Sequence, residues 1–132
     1  MNTEIFLNSY YKDESEMTCL CFRWVNANFP QLRGDFFHVP NEFPYIQGGN
    51  KFQYNAIIEK RRRLGVTPGI PDFICMNPRF AIELKMPKGS RSEVQKSIHE
   101  KWLKFMPVYT VKTLLEFHNI VIDQLNNYDY GG

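Results

Sequence analysis

The first apolar pattern in the chain is that of an amphipathic helix. Its apolar side chains recur every three or four residues: Met17, Leu20, Cys21 and Trp24. Such spacing places them on one helical face. Ser15 is a favourable N-cap, and Pro30 cannot continue a helix. The pattern therefore predicts a helix over residues 15–29.

A second helix is predicted over residues 51–64. Its last turn holds the basic run Lys60, Arg61, Arg62 and Arg63. Cations are favourable there because they face the negative end of the helix macrodipole. Gly65 follows as a typical C-terminal stop.

Two more helices are predicted in the C-terminal third of the chain. One runs from residue 92 to residue 106, has an inward stripe of Ile98, Trp102 and Phe105, and ends at Pro107. The apolar face of the other consists of Leu114, Leu115, His118, Val121, Ile122 and Leu125. The tail 126–132 has no such pattern, and we expect it to fray.

Short apolar runs predict four strands. Phe36, Phe37 and Val39 form the first, and a loop over 41–50 follows it. The runs 72–76 and 80–85 are separated by a three-residue turn signal, which predicts a β-hairpin. Residues 108–111 supply the last strand. The element order α-β-α-β-β-α-β-α predicts an α/β fold with a mixed central sheet flanked by helices.

The predicted hairpin brings three polar side chains together. A turn centred between Asn77 and Pro78 places Asp72 opposite Glu83. Directly opposed residues point to the same face with Cβ atoms about 4.5 to 5.5 Å apart, and Lys85, two residues on, shares that face. A slip of one residue in the register would send Asp72 and Glu83 to opposite faces.

Glu83 is expected to be buried, because it lies between Ile82 and Leu84 in an apolar strand. An unpaired buried carboxylate is very costly, so its charge requires compensation. Two adjacent carboxylates suit Mg²⁺ or Mn²⁺, which prefer oxygen ligands. Lys85 would supply the remaining positive charge and position or deprotonate a water.

A surface hairpin with an ordinary Glu-Lys ion pair is the alternative interpretation of the same residues. A solvated face should carry polar neighbours at alternate positions. Ile74 and Ala81 occupy those positions instead, which favours the buried site.

Length and composition limit the class of protein. The 132 residues, 43% hydrophobic with 11 Phe, 7 Tyr and 2 Trp, suit one domain over 1–132 with its core at about 15–125. The sequence has no apolar run of the roughly 20 residues that cross a bilayer and no signal-peptide pattern. We therefore expect a soluble intracellular protein without a membrane partner. Cys19 and Cys21 diverge on a helix, so neither a disulfide framework nor a zinc knuckle fits.

The basic residues are concentrated in the middle of the chain. Residues 51–104 carry 12 basic and 5 acidic side chains, although the whole chain has a net charge of only +2. Such a block suits a phosphate-rich partner such as nucleic acid. The candidate phosphate contacts are Lys88 and Arg91, in the loop after the second hairpin strand, and Arg61, Arg62 and Arg63.

Two runs of the sequence resemble a known nuclease family. They are Leu64–Phe73, which contains Gly-Ile-Pro-Asp, and Phe80–Gly89, which contains Glu-Leu-Lys-Met-Pro-Lys-Gly. Gln95 and His99 follow in the predicted helix. Two features precede these runs: Glu16, and a His-Val-Pro-Asn-Glu run that contains His38 and Asn41. In this order the residues resemble the virus-type replication-repair nucleases, the VRR-NUC branch of the PD-(D/E)xK superfamily, over about residues 15–125.

The resemblance implies a metal-dependent DNA endonuclease on a restriction-endonuclease-like αβββαβ core. Under it, Asp72, Glu83 and the Leu84 backbone carbonyl bind the metal, Lys85 is the catalytic lysine, Gln95 faces the site and Glu16 is an additional acid. Small members of the family are similar to phage nucleases that cut four-way (Holliday) junctions as homodimers. A phage-like member would act in the cytoplasm of an infected bacterium.

Several of these residues have simpler explanations. Gln95 could complete a capping box with Ser92, although Ser90 and Glu93 offer another cap. Glu16 could complement the helix dipole, a role that Asp13 and Glu14 share, so the choice among the three acids comes from the resemblance. His99 is more typical of a hydrogen-bonded core histidine than of a catalyst. For His38 and Asn41 the sequence indicates no chemical role.

Three other functions compete with a junction endonuclease. A catalytically silent DNA-binding module would be expected to have lost one of Asp72, Glu83 and Lys85. An interaction or structural subunit leaves the central basic block and a buried Glu83 unexplained. A sequence-specific restriction enzyme needs an element that reads bases in the major groove, for which only the 40–50 segment is available.

Overall fold

The structure, a computed structural model, describes residues 1–40 and 48–128. Asn41, most of the predicted 41–50 loop and the last four residues of the predicted tail lie outside them. The helices are α1 (Thr3–Leu7), α2 (Glu14–Asn28), α3 (Lys51–Arg63), α4 (Glu93–Trp102) and α5 (Leu114–Asn126), with a 3-10 turn at Pro30–Leu32. The strands are β1 (Phe36–His38), β2 (Phe73–Met76), β3 (Arg79–Leu84) and β4 (Val108–Val111).

The four strands form one mixed sheet in the order β1-β2-β3-β4. Strands β1, β2 and β3 are successively antiparallel, and β4 runs parallel to β3. The mixed α/β fold predicted from the element order is thus confirmed. So is the hairpin register: Phe73 pairs with Ile82, and the same register continued by one residue sets Asp72 opposite Glu83.

One face of the sheet carries the hydrophobic core. Side chains from β2 and β3 alternate, so Phe73, Phe80 and Ile82 point into the core while Glu83 points to the opposite face. Helices α1, α2 and α5 cover the core face. Phe6 of α1 stacks on Trp24 of α2 at a ring-centroid distance of 4.8 Å.

Several boundaries differ from the sequence prediction. Helix α1 was not predicted, and α2 begins one residue early because Asp13, rather than Ser15, accepts the capping hydrogen bond from the Glu16 amide. Helix α4 ends at Trp102, so Phe105 is 71% exposed and does not extend the inward stripe. Helix α5 continues to Asn126 and buries Leu114, Phe117 and Val121, whereas the predicted Leu115 is exposed.

Helix α3 stands apart from the core. It is inserted between β1 and β2, which are adjacent antiparallel strands, and none of its side chains is buried. Asn50 and Gln53 form a capping box at its start, and the predicted basic run closes its last turn. No helix in the described ranges combines the length and apolarity needed to cross a membrane.

Candidate active site

A cleft of about 650 Å³ opens where the β2-β3 hairpin meets the N-terminal ends of α2 and α4. It is lined by Asp13, Glu14, Ser15, Pro68, Gly69, Ile70, Asp72, Glu83, Lys85, Ser92, Val94 and Gln95. Four of the residues singled out from the sequence, Asp72, Glu83, Lys85 and Gln95, therefore line one cavity.

Three carboxylates converge in this cleft. One oxygen atom each from Glu14, Asp72 and Glu83 lies within 4.8 Å of the others. Glu14 comes from the first turn of α2, Asp72 from the residue before β2, and Glu83 from β3. The cluster thus draws on three separate parts of the chain, and its donor atoms are all oxygens.

Both neighbouring strands hold Asp72 in place. Its Oδ2 accepts a hydrogen bond of 2.7 Å from the Leu84 amide, which ties the side chain to the end of β3. Its backbone carbonyl accepts from the Val39 amide at 2.8 Å and from Nδ1 of His38 at 2.8 Å. His38, whose role the sequence left open, therefore contributes to positioning Asp72. The Leu84 carbonyl remains a predicted metal ligand.

Glu83 is buried, with 3% of its surface exposed. Its Oε1 accepts a 2.8 Å hydrogen bond from Nε2 of Gln95 and lies 3.8 Å from Nζ of Lys85, itself 14% exposed. Its Oε2 has no hydrogen-bond partner among the described residues. Burial, followed by the Asp72 charge, raises the pKa of Glu83 to about 8, although Lys85 opposes the shift.

Gln95 has both of the roles between which the sequence could not choose. Its Oε1 accepts from the Ser92 amide at 2.9 Å, completing the capping box of α4. Its Nε2 simultaneously donates to Glu83. The capping hydrogen bond fixes the amide, because its oxygen is held at the helix start, and the remaining donor is directed at the carboxylate.

His99 lies beneath Glu83, one helical turn after Gln95, and is 1% exposed. Nη1 of Arg91 lies 3.3 Å from its Nδ1, and its Nε2 lies 3.9 Å from Oε2 of Glu83. Burial, Arg91 and Lys85 all lower the pKa of His99, which favours the neutral ring. The expectation of a hydrogen-bonded core histidine thus holds for its Nδ1.

Gly69 allows the loop before Asp72 to approach α4 closely. Its φ is +89°, a conformation that favours glycine. A Cβ at this position would lie 2.9 Å from Cγ1 and 3.0 Å from the carbonyl oxygen of Val94. The Gly-Ile-Pro-Asp run therefore has a steric reason for its glycine.

Glu14, and not the expected Glu16, is the acid of α2 that joins the carboxylate cluster. Glu16 does not line the cleft; its Oε2 instead accepts a 2.7 Å hydrogen bond from the Lys12 amide, and its side chain is 45% exposed. Asp13 is occupied as the N-cap. The sequence offers three acids within four residues, and only the cap position decides which of them turns toward the sheet.

The residues predicted to contact DNA lie in the loop after β3 and in the last turn of α3. Lys88 is exposed in the loop after β3, and Arg91 in the same loop binds His99. Arg62 and Arg63 are exposed at the end of α3, and Arg62 also pairs with Glu59 at 3.2 Å. Arg61 is half-buried. None of these five side chains lines the cleft itself.

No protein-family model, curated protein or solved structure matches the chain.

The acidic cluster predicts which carboxylates bind a divalent cation. We expect Glu14→Gln and Asp72→Asn to weaken Mn²⁺ binding at least tenfold, because each removes a charged oxygen ligand from the cluster. Glu16→Gln is the matched control and should bind as wild type does. Isothermal titration with MnCl₂ measures this, and a loss confined to the Glu16 variant would exclude Glu14 as the third ligand.

The raised pKa of Glu83 predicts a stability cost that grows with pH. Between its ordinary value of 4.5 and about 8 the native protein holds a proton that the unfolded chain releases. This contribution to stability is therefore full below pH 4.5 and is lost as pH rises to 8. Glu83→Gln should melt near the wild-type temperature at pH 5. At pH 8.5 it should melt about 4 °C or more above wild type, which corresponds to a difference of roughly 1 kcal/mol in the free energy of unfolding.

Thermal melts in chelator at both pH values test this expectation. Glu16→Gln serves as the control, because it removes an exposed carboxylate from the neighbouring helix. A difference between wild type and Glu83→Gln that does not change with pH would contradict the assigned titration.

Proposed function

We propose that this protein is a divalent-metal-dependent endonuclease that hydrolyses DNA phosphodiester bonds, with Asp72, Glu83 and Lys85 at its centre. The observation that carries the proposal is the buried Glu83 carboxylate, set against two further carboxylates and one lysine in an open cleft. A purely structural role gives no reason to gather three acids, one of them buried, beside one ammonium group. A site that binds a cation and a phosphate does.

The donor set fits Mg²⁺ or Mn²⁺. It consists of carboxylate oxygens, which hard divalent cations prefer, and Oε2 of Glu83 is a buried oxygen in need of a partner. Glu14, Asp72 and Glu83 would hold the ion, with the Leu84 carbonyl as a further ligand. A bound cation supplies Lewis-acid stabilisation of the phosphoryl oxygens.

The remaining chemistry falls to side chains of the chain itself. Nζ of Lys85, half-buried beside Glu83, is placed to orient a water toward a phosphate in the cleft or to accept its proton. Gln95 fixes the Glu83 carboxylate through its amide. Ile70 and Val94 add apolar surface to the lining of the cleft.

The order of elements also supports a nuclease core. With α3 set aside, the order of α2, β1, β2, β3, α4 and β4 is compatible with the αβββαβ core of restriction-endonuclease-like proteins. On this proposal α3 is an insertion between the first two strands, and α1 and α5 are additions that close the core. Asp72, Glu83 and Lys85 lie at the β2-β3 hairpin, the position that the resemblance to the VRR-NUC family implies for them.

We propose branched DNA, in particular four-way junctions, as the substrate and a homodimer as the active form. Both follow from the same resemblance. A four-way junction is resolved by two cuts, and two copies related by a twofold axis would supply one acidic cleft for each cut. The protein would act inside the cell, and a phage-infected bacterium is the setting the resemblance implies.

Helix α3 is the element best suited to the DNA backbone. Its charged residues are five cations, Lys51 and the run Lys60–Arg63, and one anion, Glu59. Because no side chain of α3 is buried, its sequence is not explained by packing. The helix also leads through Gly65 to the loop that lines the cleft, so DNA held by its basic end would continue toward Asp72.

The lysine predicts the outcome of a cleavage assay. With Mg²⁺ or Mn²⁺, wild type should cut an end-labelled four-way junction, and Lys85→Ala should reduce the rate by roughly 10²-fold or more, as loss of a general base does. Binding of the same junction in Ca²⁺ should persist. Lys101→Ala is the matched control, an exposed lysine near the end of α4 that does not line the cleft, and should cleave as wild type does.

Two results would contradict the proposal. Binding of junction DNA without cleavage by wild type would favour the catalytically silent binding module. Equal cleavage by wild type and Lys85→Ala would remove the lysine from the reaction. A linear duplex in parallel distinguishes a junction-selective enzyme from a restriction-type enzyme on the same core.

The basic end of α3 predicts a change in salt dependence. Lys60→Gln combined with Arg63→Gln should make the slope of log K against log salt shallower by about 1 to 2, because each phosphate contact contributes about 0.9. Junction binding in Ca²⁺ at 50 to 200 mM salt measures this. Lys101→Gln with Lys104→Gln removes the same charge near the end of α4 and should leave the slope nearly unchanged. Equal slopes in all three proteins would exclude α3 from the DNA interface.

A further inference from the structure

Glu83 and His99 form a buried polar pair in which the proposed chemistry gives the histidine no role. Oε2 of Glu83 and Nε2 of His99 are both buried, face each other at 3.9 Å, and have no other hydrogen-bond partner in the described part of the chain. Buried polar atoms are nearly always paired. Two complementary buried atoms that face each other without a partner therefore indicate a shared role.

Arg91 determines which nitrogen of the imidazole carries the proton. Its guanidinium is only a donor, so Nδ1 of His99, 3.3 Å from Nη1, must be the acceptor. In the neutral ring the proton then lies on Nε2. This N–H group is the one directed at Glu83. An ionised carboxylate is only an acceptor, so Oε2 of Glu83 can accept this hydrogen bond.

The two carboxylate oxygens of Glu83 have different contacts. Oε1 is held at 2.8 Å by Gln95, which is itself fixed by the cap of α4. Oε2 lies about 1 Å farther from Nε2 of His99 than the usual hydrogen-bond distance of about 2.9 Å. A small rotation of the carboxylate about the Oε1 contact would close this gap.

We propose that His99, oriented by Arg91, is a positioning residue that donates its Nε2–H to Oε2 of Glu83 when the cleft holds a divalent cation. The inference rests on the proposed function, since it concerns the same carboxylate. Gln95 and His99 then fix one oxygen each, and the orientation of Glu83 toward Asp72 and Glu14 is determined by α4. Such outer partners of a metal-binding carboxylate commonly change affinity by about 10- to 100-fold.

Two substitutions of His99 separate the donor from the ring. Gln places an amide nitrogen near the position of Nε2 and retains the donor. Asn reaches only to the position of Nδ1, so it can accept from Arg91 but offers nothing to Glu83. We expect Mn²⁺ affinity by isothermal titration, without DNA, to fall about 10- to 100-fold in His99→Asn and to stay within about threefold of wild type in His99→Gln.

A third variant guards against a simple folding defect. Arg91→Met leaves His99 in place but removes the donor that fixes its tautomer, and we expect an intermediate loss of Mn²⁺ affinity. Melting temperatures in chelator accompany each titration. A purely structural histidine would lower the melting temperature in both His99 variants and would not produce rescue by Gln.

The outcomes distinguish this inference from the proposed function. Wild type that binds Mn²⁺ together with equal binding by His99→Asn would overturn the role of His99 and leave the nuclease proposal intact. Wild type that binds no Mn²⁺ would overturn both. Loss in His99→Asn with recovery in His99→Gln supports the positioning role.

Discussion

The burial of one carboxylate constrains the whole cleft. Glu83 occupies a central strand, 3% exposed, within 4.8 Å of oxygens from Glu14 and Asp72. Three ionised acids against the single ammonium of Lys85 would leave excess negative charge in a poorly solvated place. The protein can relieve it with a proton on Glu83, which is what the raised pKa expresses, or with a cation. On the proposed function, the same feature that makes the carboxylate cluster costly would favour a bound cation.

This constraint explains why separate elements meet at the cleft. Helix α4 is held to the hairpin by Gln95, whose amide serves the helix cap and Glu83 at once. Gly69 lets the preceding loop pass against Val94 without the clash that any side chain would create. The helix start, the loop and the hairpin therefore form one polar unit, and displacement of any of them would disturb the Glu83 carboxylate.

The sequence could predict the part of the site that depends on strand geometry. A short turn fixes the hairpin register, so the approach of Asp72 and Glu83 followed from counting residues. The third acid could not be obtained this way. Asp13, Glu14 and Glu16 are equally suited to a first helical turn, and the choice depends on which one caps α2. Helix α1 is only five residues long, too short for its periodicity to be recognised, although its Phe6 is fully buried. The early end of α4, which exposes Phe105, likewise depends on tertiary packing.

An acidic cleft creates an electrostatic difficulty for a nuclease, since the substrate backbone is itself anionic. The cleft is lined by four acids and one lysine, whereas residues 51–104 as a whole carry 12 basic and 5 acidic side chains. The five basic residues expected to contact DNA do not line the cleft: Arg61, Arg62 and Arg63 end α3, and Lys88 and Arg91 lie in the loop after β3. On the proposed function, long-range attraction from these cations would offset the local repulsion of the acids, and a bound cation would remove the rest. Substrate and cation binding would then reinforce each other, because the phosphate is tolerated next to Glu83 only after the carboxylates have been neutralised.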